Sequence, residues 1–221
     1  MVIKAVIFGL DGVLCSTDAY HYRAWKKVAD SLGIVFDKES YRRIRGLSRT
    51  GTLDSILERY DGDLSEAEKE TLTEQKNEYL KEYLSDLSPA DLPADILRTL
   101  EELRKRKDLL LAVACPSGNT RLILQQIGLG SFFDAVSDGN GLTGEMSFSW
   151  VFLKAAQMLR LAPEQCLVVE ARESGAQGAG DAGMTVVCVG DAAEQNMGHY
   201  QLKSIRGLMD LPELQFRKQD I

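Results

Sequence analysis

Reactive side chains in this sequence gather at the ends of short apolar runs. Asp11 follows the first run, Cys115 the second, and Glu170 the third. Behind Cys115 come Ser117 and Asn119, then Arg121 six positions on. A thiol between a strand and a helix N-terminus can have its pKa lowered enough to attack phosphorus, and an arginine can grip phosphoryl oxygens in bidentate fashion. Thr17, His21, Arg49 and Lys76 lie in a polar helix-like stretch, where spacing alone does not single them out. Arginine suits bidentate phosphate binding there, and lysine supplies a point charge. Three of them have plainer roles: Arg49 as a solvated first-turn residue, Lys76 as a charge on an exposed face, His21 as a packed core-edge side chain beside Trp25. Asp11 could simply cap the Gly12 turn. His199 sits in a polar tail and reads as incidental.

Something must hold these residues in place. Four apolar runs, Ile3–Phe8, Leu109–Ala114, Cys166–Val169 and Met184–Val189, each precede a helix-like stretch, and 132–136 suggests a shorter strand. Strands alternating with helices predict an α/β fold, a Rossmann-like parallel sheet covered on both faces. Ligands in such sheets sit beyond the carboxyl ends of the strands. That rule picks out Phe8–Gly12, Ala114–Asn119 and Val169–Ala171, and makes Cys115, Ser117 and Asn119 candidate substrate-binding residues. Between the first two strands, helical spacing recurs over 18–33, 49–60 and 65–87. The predicted organisation is an α/β core of residues 1–15 and 89–221 with a helical insert of residues 16–88.

Composition narrows the function classes. The chain has 221 residues, 44% hydrophobic and 27% charged, enough for a sizeable core. Its net charge of −7 argues against a non-specific nucleic-acid binder. The longest apolar run, Leu109–Cys115, is far too short to span a membrane. The opening residues read as a strand rather than a signal peptide, so the expected location is cytoplasmic. Cysteines 15, 115, 166 and 188 form no C-x-x-C pair, which argues against zinc, and three of them read as small buried hydrophobes in a reducing compartment.

Val6-Ile7-Phe8-Gly9-Leu10-Asp11-Gly12-Val13 resembles the Asp-x-Asp-Gly signature of the haloacid dehalogenase-like (HAD) phosphotransferases. The segments 20–25, 46–49, 76–77, 88–91 and 170–183 are most similar to their β-phosphoglucomutase branch. The resemblance implies a HAD-type core with a helical cap and a Mg²⁺-dependent transfer through an aspartyl-phosphate. It also implies that decisive positions are changed. Gly9 stands at the nucleophile, Ala171 at a metal-ligand aspartate, Cys115 at the phosphate-binding Ser or Thr, and Met146 at the loop lysine. Asp11 keeps the acid/base position, and Glu170 is the acidic side chain left at the metal position. Thr17, His21, Arg49, Lys76 and Asn77 match hinge and sugar-phosphate contacts.

The implied function is a catalytically silent, mutase-like protein that keeps sugar-phosphate or anion binding, with no metal cofactor expected. A protein partner is left open. One alternative is an active phosphotransferase or phosphatase of this superfamily. The other rests on Cys115 and Arg121, whose spacing is similar to the loop of cysteine-dependent phosphatases.

Overall fold

The computed structural model describes residues 2–140 and 148–215. Its sheet has six strands, β1 (Ala5–Phe8), β2 (Leu110–Ala114), β3 (Ala135–Ser137), β4 (Cys166–Glu170), β5 (Thr185–Cys188) and β6 (Tyr200–Gln201). They lie in the order β3-β2-β1-β4-β5-β6, and every pairing is parallel. The central strand β1 sets Phe8 beside Val113 of β2 and Val169 of β4. Strands buried on both faces need continuous apolar sequence, and all four residues of β1 and all five of β4 are buried. This register brings the carboxyl ends of β1, β2 and β4 together.

The described residues divide into two compact units: those of Met1–Ser16 with Ser88–Ile221, and those of Thr17–Leu87. The second unit holds α1 (Asp18–Ser31), α2 (Lys38–Ile44), α3 (Arg49–Leu57) and α4 (Glu66–Leu84). Polar side chains start three of these helices. Asp37 accepts from the Ser40 amide, Ser48 from the Gly51 amide, and Ser65 with Glu68 forms a reciprocal capping box. Trp25, Val28, Phe36, Ile44, Leu53 and Ile56 close the unit's own apolar core. Helix α2 lies outside the predicted helical stretches. At seven residues it is too short to show a clear 3.6-residue period, and its start signal is the single side chain Asp37.

The sheet unit is completed by α5 (Ala94–Arg104), α6 (Thr120–Gln126), α7 (Phe148–Leu159), α8 (Glu173–Asp181) and α9 (Gly190–Glu194). Helices α7 and α8 cover one face with Val151, Phe152, Ala155, Ala176 and Ala179. A Cβ on Gly178 would stand 2.4 Å from that of Phe148, so glycine permits their close approach. Strand β6 has no sequence signal either. Two residues carry no period-2 signal, and the pairing depends on His199, whose Nδ1 accepts the Val186 amide at 3.0 Å. His199 is therefore a structural acceptor and not an incidental tail residue. Cys15, Cys166 and Cys188 are buried free thiols, in keeping with their reading as small hydrophobes.

Candidate active site

Three strand ends build the site. After β1 the Gly9 amide donates to the Val169 carbonyl at 2.8 Å, so the chain stays in register with β4 for one more residue. It then turns, with the Gly12 amide donating to the Cys15 carbonyl at 2.7 Å. Gly12 has φ +80, and a Cβ there would lie 2.8 Å from that of Ala171. Both facts call for glycine. The turn delivers Asp11, half-buried, to the edge of the site.

After β2 the loop is stitched to the end of β3. Cys115 donates its amide to the Ser137 carbonyl at 3.0 Å, and Gly139 donates to the Ser117 carbonyl at 3.3 Å. Ser117 Oγ accepts the Asn119 amide, and the Thr120 hydroxyl donates to the Ser117 carbonyl. Asn119 is buried within this turn, while Ser117 keeps partial exposure. The loop thus brings together Cys115, Ser117 and Asn119, as the strand-end rule anticipates. Ser137 was not singled out from the sequence. It is 2% exposed, and its hydroxyl has no hydrogen-bond partner among the described residues. Its position at a strand end is the signal that could have found it.

Glu170 ends β4 and dominates the site. The residue is only 7% exposed. Its Oε2 accepts the amides of Ala171 at 2.9 Å and Arg172 at 3.3 Å. Burial pushes its pKa up to about 7, and the Asp11 carboxylate adds to the rise. The two amides and the Arg172 charge oppose it without overcoming it. The side chain also takes space beside β1. An ideal Cβ on Gly9 would stand 2.5 Å from Glu170 Oε1 and 2.8 Å from Cδ. In a free aspartate the carboxyl oxygens lie about 2.4 Å from their own Cβ, from ordinary bond lengths. One carboxylate oxygen of Glu170 therefore stands at the distance at which an aspartate at position 9 would hold its own. Gly175, in the first turn of α8, makes this placement possible, because a Cβ there would be 2.4 Å from Glu170 Cδ.

Magnesium needs hard oxygen ligands, usually including one or two carboxylates. Gly9 and Ala171 supply no side-chain oxygen, and Glu170 Oε2 is committed to two backbone amides. No group of three or more His, Cys, Asp or Glu able to hold a metal occurs among the described residues. The residues present do not fit this ion. Met146 lies outside the described residues.

The thiol arrangement is corrected by the structure. Burial and the neighbouring Asp11 charge push Cys115 up to about 12, despite stabilising bonds from Ser117 and Thr120. It is a neutral thiol at physiological pH. Arg121 turns away to bind Asp138 at 2.6 Å and the Val136 carbonyl at 2.9 Å. A thiolate with a guanidinium cradle is not assembled here, because the arginine has a carboxylate partner of its own and the thiol is desolvated.

In the helical unit, Thr17 is fully buried, and its carbonyl accepts the amides of Tyr20 and His21 at the start of α1. Lys76 of α4 is 5% exposed, which overturns its reading as a charge on a solvated face. Its Nζ lies 3.0 Å from His21 Nδ1 and 5.2 Å from the centre of the Trp25 ring. The ammonium donates to the imidazole and meets the electron-rich indole face. Trp25 is itself core, as its helical spacing indicates. Arg49 stands exposed as the first residue of α3, and Asn77 is half-buried beside Lys76 in the chain.

Comparison with known proteins gives these features a family. Residues 3–183 match the haloacid dehalogenase-like hydrolases. The β-phosphoglucomutase of Bacillus subtilis is 36% identical over 190 residues, 85% of this chain and 84% of that protein. The Escherichia coli fructose-1-phosphate phosphatase is 27% identical, over 83% of this chain and 95% of its own. A crystal structure of the Clostridium difficile β-phosphoglucomutase superposes with a TM-score of 0.82 at 29% identity, covering 94% of this chain and 93% of that one. With a parallel six-stranded sheet, a site at its carboxyl edge and a match along most of its length, this chain belongs to the haloacid dehalogenase-like hydrolase family.

Proposed function

We propose that this chain is a β-phosphoglucomutase-like protein that binds a sugar phosphate and does not turn it over. The observation that carries the reading is the strand-end site. At the family's nucleophile position Gly9 has only a hydrogen, and the space its side chain would take is held by the Glu170 carboxyl. A hydrogen cannot attack phosphorus, and the aspartyl-phosphate route has no other carboxylate at position 9 to begin from. Without a metal or a cation at the transferring group, little of the charge stabilisation that drives phosphoryl transfer remains.

The Thr17–Leu87 unit serves as the family's cap in this reading. Its Arg49, Lys76 and Asn77 are the candidate contacts for phosphate and sugar, Thr17 matches the family's hinge position, and His21 holds Lys76. Within the sheet unit, Asp11, Ser117 and Asn119 are the candidate contacts in this reading. Four free cysteines support residence in a reducing compartment.

Likeness to mutases and phosphatases favours a second reading, an active phosphotransferase whose motifs have drifted. One assay separates the two: conversion of β-glucose 1-phosphate to glucose 6-phosphate with excess Mg²⁺, alongside calorimetric binding of glucose 6-phosphate. Silence with binding supports our reading. Mg²⁺-dependent conversion by the unmodified chain supports the other.

A further inference from the structure

We infer that the helical unit carries a binding site of its own, a cleft between α2 and α3 that takes a small aliphatic α-amino acid. The inference does not depend on the proposed function. None of the cleft's residues is a candidate contact for the sugar phosphate, and Arg59 stands roughly 15 Å along the α3 axis from Arg49.

Size comes first. The cleft measures about 230 Å³. That is below the roughly 300–1,000 Å³ of pockets for drug-sized ligands, so the occupant is small. One wall is apolar, formed by Ile34, Phe36, Ile44 and Ile56 from the core of the helical unit. Such a wall suits a short branched hydrocarbon and offers sugar hydroxyls no partner.

The polar rim comes from the end of α3. Ser55, Glu58 and Arg59 all line the cleft, and their i, i+3, i+4 spacing puts them on one face. Ser55 is half-buried, and the two charged residues are exposed. Among the described residues the Ser55 hydroxyl and the Glu58 carboxylate have no hydrogen-bond or ion-pair partner. Arg59 donates from Nη1 to the Val35 carbonyl at 3.3 Å and to Ser40 Oγ at 3.2 Å, and both acceptors are neutral. Asp37, held low first by the Ser40 amide, feels the Arg59 charge only as a weaker influence. Arg43, the other guanidinium of the cleft, already faces Glu39 at 3.6 Å.

Glu58 and Arg59 thus offer one charge of each sign beside an apolar wall. A free α-amino acid carries the matching pair on a single carbon. Its carboxylate meets the Arg59 guanidinium and the Ser55 hydroxyl, and its ammonium meets the Glu58 carboxylate. The carboxyl end of α3 adds partial negative charge on the ammonium side. The aliphatic side chain then lies along Ile34, Phe36, Ile44 and Ile56.

Calorimetry on the full chain, with L-leucine as the probe and no sugar phosphate present, tests this assignment. Glycine lacks the hydrocarbon, N-acetyl-L-leucine the ammonium, and L-leucine amide the carboxylate. We expect saturable leucine binding, with each of the other three at least about tenfold weaker. Glu58→Gln removes the ammonium's partner at an exposed position and should weaken leucine by a similar factor. Should that variant not fold, the four ligands on the unmodified chain decide the point. Absence of saturable leucine binding, any of the three comparators binding as tightly as leucine, or unchanged affinity in folded Glu58→Gln overturns the inference. Glucose 6-phosphate is titrated separately, so failure here leaves the proposed function standing.

Discussion

Each unit of this molecule buries a charged side chain, and the two treat it differently. In the sheet unit the Glu170 carboxyl is packed between Gly9 and Gly175, held by two amides, and pushed toward neutrality by burial. In the helical unit the Lys76 ammonium is 5% exposed, but an imidazole nitrogen lies 3.0 Å away and an indole face 5.2 Å away. Burial of a charge is tolerated when partners replace its water. The lysine has such partners on two sides. The glutamate fills a space left by a missing side chain. The contrast teaches that the helical unit keeps a buried, partnered cation, whereas at the strand ends a carboxyl fills the space beside Gly9.

Reversing the strand-end changes gives the largest expected effect. Gly9→Asp alone should yield no mutase activity, because Ala171 and Met146 still lack the metal ligand and the cation. It should also destabilise the fold by about 1–3 kcal/mol, since its Cβ would force Glu170 off its two amides. Chemical denaturation measures that loss. The combined change Gly9→Asp, Met146→Lys, Ala171→Asp should produce Mg²⁺-dependent conversion of β-glucose 1-phosphate. If the triple variant folds, binds Mg²⁺ and remains inactive, the helical unit has diverged as well, and the contrast between the units collapses.

Lys76→Met comes next and probes the other side. Methionine fills the volume without charge. Glucose 6-phosphate affinity should fall by tenfold or more, while denaturant stability stays within about 1.5 kcal/mol of the parent. Unchanged affinity would make Lys76 a packing residue alone.

The pH dependence of stability sharpens the account of Glu170. Its folded pKa of about 7 is raised above its ordinary value of 4.5. Between those values the folded state holds the proton more tightly than the unfolded chain, so stability falls as pH rises through this window and levels off above it. Glu170→Gln has no such proton to lose. Relative to the parent it should gain up to about 3 kcal/mol between pH 4 and pH 8, an upper bound from the size of the shift. A flat difference across that range would mean the carboxyl is solvated.

The smallest effect is expected at Arg121→Ala. Its ion pair with the largely buried Asp138 is half exposed at the guanidinium, so a loss of about 1 kcal/mol is expected. Cys115 should stay inert to alkylation at pH 7.5 in both proteins, because its thiol is held near 12 by burial and Asp11.

Much of the fold was legible because its strands are apolar runs bounded by turn residues. Observed β4, Cys166–Glu170, exceeds its predicted run by one residue, and β1 and β5 fall inside theirs. What was illegible was short or set by tertiary partners, such as α2 and the two-residue β6. At the site, sequence located Gly9, Asp11, Cys115 and Glu170 at the strand ends, and the sheet register assembles them. It could not show that Glu170 leans into the space beside Gly9, since that depends on Gly175 five residues on. Nor could it show that Lys76 is buried, because a lysine on a polar helix looks the same from the sequence whether it faces water or an indole. Arg121 misled for a related reason, as its partner Asp138 belongs to the next strand end.

Fluorine NMR tests the central claim most directly. The full chain would be mixed with MgCl₂, sodium fluoride and glucose 6-phosphate, conditions under which a competent phosphoryl-transfer site traps a trigonal magnesium fluoride beside its nucleophile. Our account predicts only free-fluoride resonances, since Gly9 offers no nucleophilic carboxylate, Ala171 no metal-ligand oxygen and Met146 no cation to hold the mimic. Distinct protein-bound fluorine resonances would contradict it and show that this site still assembles the transfer geometry.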